Sequence, residues 1–142
     1  VAETFFSGEL MASGIVKDRS GRVIRYFNAT IDASWEGGVG TLDEQFVFDD
    51  GEEQTRVWTL ERTAAGAYIA TAGDVIGESQ MKVLGNSLFM HYVLRIPYGD
   101  GTIDVNVDDR MYLVSDTVLL NESVMSKWGV NVGQITLVIQ KK

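Results

Sequence analysis

The chain has no cysteine and a single histidine, His91, among its 142 residues. Without cysteine there are no disulfides, thiolate metal sites or cysteine nucleophiles. With one histidine a His-rich metal site is excluded, and any Ser-His-Asp arrangement has to be built on His91. Proline occurs once, as Pro97, so almost nothing interrupts extended backbone. No run of 18 apolar residues is present to span a membrane as a helix. Positive charge is scarce: 12 Lys and Arg face 20 Asp and Glu, a net charge of −8. There is no basic stripe and no aromatic-basic interleaving, which argues against nucleic acid as a partner. The acidic balance also discourages contact with anionic lipid head groups. Repeats, low-complexity tracts and linkers are missing too, so residues 1–142 read as one domain that buries about 68–70% of its unfolded surface.

What the chain does have is alternation. Val23, Arg25, Phe27, Ala29, Ile31, Ala33 and Trp35 fall on one face; Ile24, Tyr26, Asn28, Thr30, Asp32 and Ser34 fall on the other. Successive side chains of a strand point to opposite sides, so this is a half-buried β-strand. The pattern returns at Leu88 to Ile96, Ile103 to Met111 and Ile135 to Ile139. His91 lies in the row Phe89, His91, Val93, Arg95, opposite the more apolar row, and reads as solvent-facing.

Turn signals punctuate these runs: Asp18-Arg19-Ser20-Gly21, Glu36-Gly37-Gly38, Asp49-Asp50-Gly51, Ala64-Ala65-Gly66, Gly85-Asn86-Ser87, Tyr98-Gly99-Asp100-Gly101 and Ser115-Asp116-Thr117. Between them lie about ten predicted strands, near 4–17, 22–35, 40–48, 55–62, 67–71, 74–83, 88–97, 102–114, 118–128 and 134–141. Links this short cannot carry parallel crossovers, so the expectation is an all-β antiparallel up-and-down meander. Closing it into a barrel of about 8–10 strands removes both exposed edges. A two-sheet sandwich is the competitor, and the long adjacent strands favour the barrel. Asn121 to Gly133 reads as strand with a kink at Gly129, the alternative being one helical turn capped by Asn121 or Ser123.

The acidic group Asp43, Glu44, Asp49, Asp50, Glu52 and Glu53 lacks the spacing of an EF-hand loop and reads as a solvated hairpin tip. No metal site and no cofactor is expected. The sharpest chemical signal is charge inside apolar rows. Arg25 lies with Val23, Phe27 and Ile31; Glu44 with Leu42, Phe46 and Phe48; Arg56 with Trp58 and Leu60; Asp109 between Val107 and Met111. If these rows face inward, two cations and two anions share the interior and must pair with one another or with a ligand. In one reading they form a closed salt-bridge network, or leave to solvent at strand ends. In the other they floor an apolar cup walled by Trp58, Trp35 and Tyr92, with Arg56 orienting an acidic head group. Glu44 or Asp109 in a low dielectric suits a general acid or base. No nucleophile accompanies them, and Asp108 and Asp109 point to opposite faces, so no catalytic residue is assigned.

Several blocks, taken together, resemble a bacterial family of uncharacterised proteins usually predicted to be envelope lipoproteins. They are Phe5-Phe6 with Gly8, Gly14-Ile15-Val16-Lys17-Asp18-Arg19-Ser20-Gly21, Phe48-Asp49-Asp50-Gly51-Glu52, Arg56-Val57-Trp58-Thr59-Leu60, Gly73-Asp74-Val75-Ile76-Gly77-Glu78, Asp108-Asp109-Arg110-Met111-Tyr112-Leu113 and Met125-Ser126-Lys127-Trp128-Gly129. The resemblance spans nearly the whole chain and implies a location facing the periplasm. It also implies a lipid-attachment cysteine just upstream of Val1, which would be the membrane anchor. A lipocalin-like (calycin) barrel agrees with both the blocks and the strand pattern. The first strand lacks the Gly-x-Trp of classical lipocalins. The expected role is binding of a small amphipathic or lipid-like ligand through Arg25, Glu44, Arg56, Trp58, Tyr92 and Asp109. The alternatives are a filled barrel acting as an interaction module and a carboxylate-dependent enzyme.

Overall fold

A computed structural model describes residues 2–63 and 66–142. Among the described residues ten strands run in order: β1 (Gly8–Asp18), β2 (Val23–Glu36), β3 (Val39–Phe48), β4 (Glu53–Arg62), β5 (Tyr68–Thr71), β6 (Ser79–Leu84), β7 (Ser87–Tyr98), β8 (Gly101–Leu113), β9 (Val118–Lys127) and β10 (Val130–Lys141). Each pairs antiparallel with its sequence neighbour, and β1 pairs with β10 from Leu10↔Lys141 to Asp18↔Gly133, closing the barrel. The meander and its closure are as the alternation predicts. Interior rows such as Phe27, Ala29, Ile31 and Ala33 are buried while Asn28, Thr30 and Asp32 face water. His91 is on the exposed face.

Several boundaries differ from the expectation. The first strand starts at Gly8, because residues 2–5 form one helical turn, α1 (Ala2–Phe5), closed by a bond from the Phe6 amide to the Ala2 carbonyl. Ala2, Phe5 and Phe6 are buried there and stopper one end of the barrel. Trp35 belongs to this stopper and not to the cup: its indole Nε1 donates to the Phe6 carbonyl at 2.6 Å, and its ring packs on Tyr68. The ring also lies so close over Gly40 that a Cβ there would sit 2.7 Å from it.

The expected kink at Gly129 is a hairpin. Trp128 and Gly129 both adopt positive φ, 52° and 76°, between paired Lys127 and Val130. Two central residues of that kind make the tight turn whose twist matches the flanking strands. β10 therefore begins at Val130, not near 134. The strand expected over 74–83 shortens to β6, and residues 72–78 form a loop. Of the turn signal Ala64-Ala65-Gly66, the first two residues lie outside the described residues.

Short strands β5 and β6 leave the barrel wall incomplete. β4 meets β5 only over Thr59 to Arg62, and β7 meets β6 only over Ser87 to Met90. The remaining halves of β4 and β7 flank a gap at the end opposite α1. Loop 72–78 lies over it, bound to β7 by the Ile76 amide on the Val93 carbonyl and the Arg95 amide on the Asp74 carbonyl.

Candidate functional site

Interior width grows with strand number, and ten strands enclose more space than side chains fill. Above the stopper a cavity of about 280 Å³ remains. Phe6, Leu60, Met81 and Ile139 lie toward its closed end, and Val16, Arg25, Phe48, Gln54 and Ile135 toward its mouth. The barrel is therefore hollow. All six predicted ligand contacts, Arg25, Glu44, Arg56, Trp58, Tyr92 and Asp109, line this cavity. They do not form the four-membered charge network that the apolar rows suggested.

Arg25 stands apart at the mouth. Its guanidinium lies 3.7 Å over the Phe48 ring and pairs with Glu52 at 2.8 Å and Asp50 at 3.4 Å. Its partners are thus the acidic hairpin tip, because the side chain at the strand end reaches water. Arg56 is held deeper, and its partner is Asp74 on the loop. Nε sits 3.0 Å from both carboxylate oxygens and Nη2 2.8 Å from Oδ2. Burial opposes the Arg56 charge, but Asp74 outweighs it and the guanidinium stays firmly protonated.

Glu44 is the cross-strand partner of Arg56, yet its carboxyl has no hydrogen bond among the described residues. Its half-buried side chain lines the cavity. Burial pushes its pKa up to about 8; the Arg56 charge pulls it down, while Asp109, Asp74 and Asp43 push it further up. Asp109 is only 5% exposed and accepts a hydrogen bond from the Ser123 hydroxyl. Burial raises its pKa as well, against the bonds from Ser123 and Tyr92 and the Arg56 charge. The Tyr92 hydroxyl is pushed well above its ordinary range by burial and then by Asp109. Its ring meets Trp58 edge to face at 5.1 Å.

Three contributors were missed. Asn121 is 8% exposed, and its Oδ1 is fully enclosed with no partner among the described residues. Asn121 and Ser123 occupy the inward row Leu119, Asn121, Ser123, Met125, so their period-two spacing is a signal that could have found them. Asp74 has no such signal, since it reaches Arg56 from a loop of irregular backbone.

The barrel is thus a hollow, largely apolar container with these polar groups in its wall. The sequence matches the family described as "Protein of unknown function (DUF3833)" over residues 1–141. The chain is a DUF3833 protein. No curated protein matches it in sequence. Among solved structures, this DUF3833 barrel resembles the S-type phycobiliprotein lyase CPES from Guillardia theta at TM-score 0.67 and 10% identity, covering 96% of this chain and 88% of that one. It is also similar to Rv2717c from M. tuberculosis, at TM-score 0.62 and 13% identity over 96% and 92% of the two chains. The redesigned β-barrel mFAP0, solved bound to DFHBI, matches at TM-score 0.52 and 11% identity over 96% and 98%. At such identities the DUF3833 chain shares a calycin-like barrel fold with these proteins and no more.

Proposed function

We propose that this protein binds one small amphipathic ligand inside the barrel, apolar body toward Met81, Met90 and Leu94 and polar end at Glu44, Asp109 and Asn121. The observation that carries the reading is the cavity of about 280 Å³ inside the barrel, largely apolar in its lining, with the side chains of Glu44 and Asp109 in its wall. Ligand sites are of this kind, concave and mostly apolar with a few polar groups that fix orientation. Two structural neighbours point the same way: the DFHBI held by mFAP0 and the phycobiliprotein lyase are consistent with small-molecule binding in such barrels. The hollow interior favours this role over a filled interaction module. The test is native mass spectrometry of gently purified protein beside the same sample denatured. Added mass that disappears on denaturation supports the reading. A bare chain mass after incubation with an amphiphile panel overturns it.

We further propose that the protein works at the periplasmic face of the envelope through an N-terminal lipid anchor; the sequence blocks quoted above support this. Metabolic labelling of the natural precursor with a fatty acid, followed by fractionation, tests it. An unlabelled, freely soluble product would sink the idea.

A further inference from the structure

Resting on the amphiphile reading, the charge inventory of the cavity specifies the ligand's polar end. The barrel's two inward-row cations are committed elsewhere: Arg56 to Asp74, and Arg25 to Asp50 and Glu52. Lys127 donates to the Asp104 carbonyl. What remains facing the cavity is a pair of carboxyl groups without an ion-paired cation, Glu44 and Asp109; Asn121 lines the same wall with its Oδ1 enclosed behind it. The Ser123 hydroxyl beside them already serves Asp109. Trp58 and Tyr92 line the same wall, and aromatic faces add attraction for a cation.

We propose that the ligand is a cationic amphiphile, a protonated primary amine on an apolar chain, its ammonium held between Glu44 and Asp109. An ammonium offers donors and no acceptor, which matches two carboxyl groups that have no ion-paired cation of their own. An anionic head group meets two carboxylates there and no free guanidinium. This revises the expectation that Arg56 orients an acidic group.

The groups facing Glu44 are Arg56 from β4, Asp109 from β8, Asp74 from the loop and, beyond them, Tyr92 from β7; Asp43 is its chain neighbour. With this surroundings Glu44 holds a proton at neutral pH. The amine arrives already protonated, so seating it drives the Glu44 proton into the buffer while no covalent bond between heavy atoms changes.

The test uses three chain-matched probes: octylamine, octan-1-ol and octanoate. Each is titrated into the protein by calorimetry at neutral pH in phosphate and in Tris, whose different ionisation heats reveal proton release. The expected order is amine over alcohol over carboxylate, with about tenfold between the first two, as one buried ion pair allows. Proton release should accompany the amine alone. Glu44→Gln should lose the release and about tenfold in amine affinity, a larger loss than it shows for octan-1-ol; Asp109→Asn serves as the second variant should the first fold poorly. Octanoate binding as tightly as octylamine, or amine affinity untouched in Glu44→Gln, overturns the cationic assignment and leaves the amphiphile reading standing. If none of the three binds, the amphiphile reading itself has failed.

Discussion

Arg56 forks onto Asp74, with Nε 3.0 Å from both carboxylate oxygens, and not onto Glu44, its partner in the β3–β4 ladder. One side chain thereby does two things. It ties loop 72–78 to β4 across the gap in the barrel wall, and it leaves Glu44 without a counter-ion.

Replacing Asp74 by Ala should release both. Arg56 is 20% exposed and Asp74 37%, so the pair is partly solvated, and its loss should cost about 1–3 kcal/mol rather than the full value of a buried pair. Freed from the loop, the guanidinium can turn to Glu44 and lower its pKa. Urea denaturation measures the first effect. The second should appear as a weaker preference for octylamine over octanoate.

Glu44 makes stability depend on pH in a defined direction. Its folded pKa of about 8 lies above the ordinary 4.5, so between these values the folded state holds a proton that the unfolded chain has lost. Stability is therefore fullest below about 4.5 as far as this group is concerned, and falls as pH rises toward about 8. The slope is at most about 1.4 kcal/mol per pH unit. Glu44→Gln removes the dependence, so the variant should gain on the parent steadily from pH 5 to 8 in thermal melts. Parallel curves for the two proteins would contradict this.

Asn121→Leu exchanges an orphaned polar group for an apolar one of similar size. The variant should be more stable by about 1–3 kcal/mol, since no desolvated acceptor remains. Its affinity for the amine should drop. A gain in melting temperature coupled to a loss of binding would mark Asn121 as kept for the ligand and not for the fold.

Trp128 sits at φ 52° on the tip of the β9–β10 hairpin and is 86% exposed. A bulky side chain in the left-handed region is strained, and asparagine tolerates it better. Trp128→Asn should raise stability by about 1 kcal/mol, read from the denaturant midpoint at constant slope. An unchanged midpoint would mean that the Lys127 ammonium, 5.2 Å from the ring centre, compensates for the strain.

The sequence by itself determined the strand-by-strand alternation, the antiparallel order and the inward rows carrying Arg25, Glu44, Arg56 and Asp109. Those follow from a period of two and from short turns, both local properties of the backbone. Asn121 and Ser123 were legible by the same rule, but the ambiguity of the stretch they begin hid them. Tertiary structure alone decided the partners. Which carboxylate takes Arg56 depends on where loop 72–78 folds back, and no periodicity encodes that. The stopper of Phe5, Phe6 and Trp35 and the hollow above it are likewise long-range outcomes: they depend on how ten strands close and on what volume their side chains leave unfilled.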